Sequence, residues 1–182
     1  MKRRNRSKNT IAGFTLIEGL VVLLMIAVLF AIAAPSWLAL INNQRIGTAR
    51  GQVFEVLRSA QDEAKRTKVS REVRFDTTSP SAPRVAILPY KPASPIPNAN
   101  VNNWQAIGET RPKSVKVTTS SANGNPIIFD TYGNLDPTNS TANYKVTIQI
   151  ASAQNATSGS RRCVIVKTLL GAMAEGKDAE CN

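Results

Sequence analysis

From Gly19 to Gln44 this chain carries no charged side chain, and the residue just ahead of that stretch is a glutamate. Wound as a helix, Gly19 to Leu40 would extend about 33 Å, roughly one bilayer hydrocarbon core. A charge inside such a segment costs about 2.5–3.5 kcal/mol at the bilayer centre and less near an interface, so Glu18 is functional by default. Upstream, residues 1–13 hold Lys2, Arg3, Arg4, Arg6 and Lys8 and no acid. That asymmetry puts the N-terminus on the cytoplasmic side and everything after residue 44 across the membrane.

Three readings of this N-terminus compete. An ordinary secretory signal would use the basic leader, the apolar run and Ala31-Ile32-Ala33 as its cleavage site, but it has no place for an acid between the first two. A plain signal anchor would leave Glu18 at the headgroup level. The third reading rests on Gly13-Phe14-Thr15-Leu16-Ile17-Glu18, which resembles the type III signal of type IV pilins and type II secretion pseudopilins. The resemblance implies that a prepilin peptidase cuts between Gly13 and Phe14 and that Phe14 is then N-methylated. It also gives Glu18 the part of setting register during filament assembly. An ammonium created at Phe14 would lie one helical turn from Glu18, where the two charges could neutralise each other within or between subunits. Pro35 removes a backbone hydrogen bond and predicts a kink; pilin-like N-terminal helices commonly carry a proline at this distance. A mature N-terminus at Phe14, at Ala34 or at the uncut leader separates the three readings.

The helix is expected to continue past the membrane. Ile46, Ala49, Val53, Val56, Leu57, Ala60 and Ala64 recur at helical spacing up to Lys68, and Arg50, Arg58, Asp62, Glu63 and Arg66 take the other positions. This half reads as an amphipathic helix laid on a sheet. Gly47 and Gly51 fall in a polar stretch and predict a locally loosened helix.

After Lys68 the period changes. Val69 to Phe75, Arg84 to Tyr90, Val115 to Thr119, Ile127 to Asp130 and Tyr144 to Ile150 read as strands, with Cys163 to Thr168 as the last. Turn-rich segments lie between them. One long helix, transmembrane in its first half and amphipathic in its second, packed on an antiparallel β-sheet is an α+β pattern. It is also the pilin fold. The layout is a leader at 1–13, a transmembrane and filament-core helix at 14–41, and one periplasmic globular domain at 42–182. Further along, Pro126 to Gly133 resembles the strand-and-glycine turn of GspH/FimT-type minor pilins and pseudopilins. Arg161 to Val166, followed by Gly171 and a final cysteine, is similar to that group's C-terminal strand.

Cys163 and Cys181 are the only cysteines. In an oxidising compartment they predict one disulfide closing the tail, worth about 3 kcal/mol by the chain-entropy account. Two free thiols or half a metal site are the alternatives. The formal charge of +11 falls to +6 without the five leader cations, which leaves 18 basic against 12 acidic residues. An excess of that size suits a solvated surface as well as a polyanion.

No histidine occurs, which excludes Ser-His-Asp and Cys-His catalysis and the H-E-x-x-H zinc site. Phosphate-loop and dinucleotide glycine motifs are absent as well. Asp62 and Glu63, adjacent on a helix, point about 100° apart and make no carboxylate pair. Asp130, Asn134 and Asp136 surround Gly133 but lack the twelfth-position glutamate of a calcium loop, so an Asx/Gly turn is expected. The chain therefore reads as a non-enzyme with no cofactor and no metal. The function implied by the resemblance is a minor pilin or pseudopilin that helps to start or cap an inner-membrane-derived filament. Its implied partners are prepilin peptidase, other pilins or pseudopilins through the N-terminal helix, and the inner-membrane assembly platform. The alternative is DNA uptake through a basic C-terminal patch of Arg161 and Arg162, with Arg111, Lys113 and Lys116 adding to it.

Overall fold

A single helix, α1, accounts for Leu16–Thr67, 52 residues. In this computed structural model the residues described are 14–78, 82–92, 100–108, 115–120, 126–137, 143–150 and 160–181, with the side chains of 34–36 excepted. The leader, including Gly13, therefore lies outside the described residues, and so does the side chain of Pro35 on which the expected kink rests. The chain divides into two compact units between Leu40 and Ile41.

The first unit, as described, is helix from Leu16 to Leu40, preceded by the non-helical Phe14 and Thr15. Its large apolar side chains are exposed all along its length, from 43 % at Ile26 to 87 % at Leu16. Length and composition suit this stretch to crossing a membrane.

The second unit begins with the rest of α1, where one stripe is buried: Ile46, Ala49, Val53, Leu57, Ala60 and Ala64 are each at most 1 % exposed. Their spacing of three or four residues keeps them on one face of the helix. Val56 packs against the same core but is only half-buried. Gly47 and Gly51 sit inside uninterrupted α-helix rather than a loosened turn, with no atom within 4 Å of where a Cβ would stand. The buried residues on either side of them hold the helix where glycine propensity alone would weaken it. Lys68, at φ 55°, takes the left-handed conformation that ends the helix. Lys65 and Arg66 occupy the last turn, where cations oppose the helix dipole.

Among the described residues eight strands follow: β1 Arg71–Asp76, β2 Arg84–Pro89, β3 Gln105–Ala106, β4 Val115–Thr119, β5 Ile127–Phe129, β6 Tyr144–Ile150, β7 Arg162–Val166 and β8 Met173–Lys177. A 3-10 turn, Asp178–Cys181, closes the chain. The helix packs on antiparallel sheet as expected, and the strands form two four-stranded sheets, ordered β3-β2-β1-β5 and β4-β6-β7-β8. Every pairing is antiparallel. β7 is not the last strand, since β8 pairs along it from Arg162↔Lys177 to Val166↔Met173.

One core joins the helix stripe to the inner faces of both sheets. Val73, Val85, Ile127 and Phe129 come from the first sheet, and Val115, Val117, Val146, Ile148, Val164 and Val166 from the second. Ion pairs frame it: Arg50 reaches Glu175 on β8 at 2.9 Å, and Glu63 meets Arg71 on β1 at 3.1 Å. On the outer face of the first sheet, Ala86, Leu88 and Val101 form a smaller core with Trp104. Glu72 shares that face, 3 % exposed and paired with Arg74 at 2.8 Å.

Candidate processing and assembly site

Two residues stand between the leader and the first helical turn. Phe14 and Thr15 are non-helical, and Phe14 is 84 % exposed. Thr15 is the N-cap of α1. Its Oγ1 accepts a hydrogen bond from the Glu18 amide at 3.3 Å, and its carbonyl accepts the first intrahelical bond from the Gly19 amide at 3.2 Å. A hydroxyl at this place satisfies one of the donors that every helix start leaves orphaned. The spacing Thr15-x-x-Glu18 is that of a capping box. Glu18 carries a register role and an ammonium partner from the sequence resemblance, and the same spacing also marks a helix start.

Glu18 lies exposed in the first turn, where the helix dipole favours an anion by about 0.3–1 kcal/mol. The carboxylate is therefore at home at this helix start. Phe14 and Glu18, the two ends of the motif that fall within the described residues, sit one on each side of the cap. Gly13 lies outside them.

The second unit holds the other sequence-derived candidates. Cys163 and Cys181 are joined in a disulfide with a Cα–Cα distance of 5.5 Å. Cys163 lies on the outer face of the second sheet, and Ile165 packs beside the bridge. Gly176, opposite Cys163 on β8, leaves room for it: a Cβ there would stand 2.9 Å from the Cys163 sulfur.

Asp130 makes the Asx turn expected of it, its Oδ1 accepting the Tyr132 and Asn134 amides at 2.8 Å each. Gly133, at φ 81°, completes the turn. Among the described residues no group of three or more His, Cys, Asp and Glu side chains is placed to hold a metal ion. Gln61, which sequence reasoning did not single out, bridges this turn to the β7–β8 turn. Its Nε2 donates to the Gly133 carbonyl at 2.8 Å and to the Gly171 carbonyl at 3.2 Å.

Of the basic candidates, Lys116, Arg161 and Arg162 fall within the described residues. Lys116 pairs with Gln149 and faces outward, whereas Arg162 pairs with Ile148, whose side chain is fully buried on the inner face. Side chains on a strand alternate between faces, so the sheet places Lys116 and Arg162 on opposite sides. Arg161 precedes β7 and its backbone is tied to Asp178: its amide donates to the Asp178 side-chain Oδ1 and its carbonyl accepts the Asp178 amide, both at 3.0 Å. Arg111 and Lys113 lie outside the described residues.

Comparison with known proteins returns no matching family model and no matching curated protein. Among solved structures the chain is similar to the minor pseudopilin EpsH from the Type 2 Secretion System of Vibrio cholerae, at 11 % identity and TM-score 0.48, covering 72 % of this chain and 96 % of that one. It is also similar to the type IV minor pilin FimU of Pseudomonas aeruginosa, at 15 % identity and TM-score 0.49, covering 77 % of this chain and 97 % of FimU. A second crystal form of FimU gives 15 % identity and TM-score 0.46 over 75 % of this chain and 99 % of that one.

Proposed function

We propose that this chain is a minor pilin or pseudopilin subunit, structural rather than catalytic, that helps to start or cap a filament drawn from the inner membrane. One observation carries the reading: α1 begins at a capped turn bearing Glu18 and then runs to Leu40 with its apolar side chains exposed all round. A surface of that kind calls for lipid or other apolar helices around it, and the chain can meet both, first as a membrane anchor and then in a filament core. Before assembly the N-terminus lies in the cytoplasm and residues 42–182 in the periplasm. Cleavage by prepilin peptidase at Gly13–Phe14 yields the N-methylated Phe14 end. Glu18 then neutralises the ammonium of its own or a neighbouring subunit.

The test is Glu18→Ala in cells that build the filament. The variant is expected to be produced and folded in the membrane yet missing from sheared filaments. Incorporation at the wild-type level refutes the proposal. N-terminal sequencing of the wild-type protein is expected to begin at Phe14; a start at Ala34 or at Met1 refutes the processing half of it.

A further inference from the structure

We infer that the domain docks on an anionic lipid bilayer through the pole where α1 ends. Among the described residues of the second unit, the large apolar side chains that stay exposed are Val69, Tyr132, Leu169 and Leu170. All four lie at that pole. Val69 follows the last turn of α1, Tyr132 stands in the Asp130 turn, and Leu169 and Leu170 belong to the β7–β8 turn. The two turns are tied together: the Leu135 amide donates to the Leu169 carbonyl at 2.7 Å, and Gln61 holds the Gly133 and Gly171 carbonyls.

Cations ring this apolar tip. The Lys68 ammonium lies 5.5 Å from the centre of the Tyr132 ring, and the Lys65 side chain runs across Gly133. Arg66 and Lys167 are exposed beside them. Of the nearby acids, Asp130 is engaged by its own turn and Glu63 by Arg71, while Asp62 sits exposed one helical turn back. The rim is therefore basic.

Chemistry selects the occupant. Protein interfaces are depleted in lysine, whereas lysines beside exposed leucines and a tyrosine suit the edge of a bilayer. There their stems lie on hydrocarbon and their ammoniums reach the headgroups. Leucine offers a nucleic-acid base nothing to stack on, and one tyrosine is a thin platform. A second copy meeting pole to pole would set these cations against each other. Length selects the bilayer: as helix, Ile41 to Thr67 spans about 40 Å. The pole meets a bilayer other than the one α1 crosses, which rests on the proposed membrane anchor.

The test places full-length Tyr132→Trp protein in zwitterionic lipid nanodiscs and adds vesicles of anionic lipid with brominated chains. Quenching is read against the parent chain, whose Trp37 and Trp104 give the background. A readout at residue 132 also keeps the leader's cations from imitating the result. Anionic vesicles are expected to quench, and zwitterionic vesicles or bromine placed in the disc are not. Leu169→Ser with Leu170→Ser, and separately Lys65→Gln with Lys68→Gln, should each raise the lipid needed for half-quenching about tenfold. These sites are exposed, so the urea transition of the domain should not move.

No quenching by anionic vesicles, or an unchanged midpoint in either double variant, overturns the inference. Quenching from the disc means that the pole reaches its own bilayer, which overturns the second one. In cells, benzoylphenylalanine at residue 170 should crosslink to lipid; adducts with protein alone overturn the inference in favour of a protein face. A chain that fails to enter nanodiscs removes the anchor reading, and the same quenching by vesicles then decides for or against the pole directly.

Discussion

The two halves of α1 share a backbone conformation and differ in almost everything else. Before Leu40 apolar residues appear on every side of the helix and stay exposed; after Ile41 one apolar stripe is buried by the chain's own sheets, with Phe54 and Val56 partly buried beside it. Helix formation is thus indifferent to where the burial comes from. The surroundings decide which pattern the sequence needs: a single stripe for one flank of a domain, a full circumference for lipid or a bundle. In the second half the contacts that hold the helix come from its own fold. In the first half the described residues supply no such burial.

Truncating one buried and one exposed leucine is the hardest test of that contrast. Leu57→Ala removes a fully buried side chain and should cost the domain about 2–5 kcal/mol in urea unfolding of the full chain in detergent. Leu29→Ala, from the exposed stretch, should leave that transition where it was. An equal loss from both would mean that the first half also packs within its own chain. Breaking the Cys163–Cys181 bridge by Cys163→Ser or by reduction should lower the same transition by about 3 kcal/mol, since it unties only the closing β7–β8 segment.

Gln61→Ala sharpens the picture of the buried half, because it strips two carbonyls of a shared donor. The expected loss is about 1–2 kcal/mol, with the β5 and β7–β8 turns gaining hydrogen exchange together. Separate responses in the two turns would show that the side chain does not couple them.

The smallest effects are those of pH, and two carboxylates on the first sheet's outer face oppose each other. Burial works to raise the Asp76 pKa, yet hydrogen bonds from Arg84, at 2.6 Å, and from Thr78 hold it below the ordinary value. A lowered folded pKa contributes stability above about pH 4 that is lost as pH falls through that region. Glu72 is shifted upward by burial, which the charge and hydrogen bond of Arg74 only partly offset. Its contribution is therefore present below its ordinary pKa and lost as pH rises past it. Urea midpoints from about pH 2 to 7 should show Asp76→Asn flattening the acid limb and Glu72→Gln removing a decline just above it.

The helix and six of the strands were legible because each shows its own period and propensity. Ile46 to Ala64 repeats at helical spacing, and Tyr144 to Ile150 alternates cleanly. β8 was not legible, for a physical reason. Met173-Ala174-Glu175-Gly176-Lys177 has little strand propensity, and its glycine serves the disulfide opposite rather than the strand. It becomes a strand only by pairing with β7. β3 is a two-residue case of the same kind, present because Arg84 and Val85 offer an edge. The split into two sheets depends on pairings between distant strands, which no local pattern records. At the N-terminus the motif was legible at once, but its charge drew attention from its geometry. Thr15-x-x-Glu18 is a helix start as well as a signal.

Gln61 has a mechanical side. A pull along α1 within the domain is resisted by the whole buried stripe at once, and by one side chain tied to turns belonging to both sheets. Such a load is spread in shear over many contacts rather than peeling one strand at a time. The domain should therefore withstand tension along its helix better than an equal force applied to the free edge at β8.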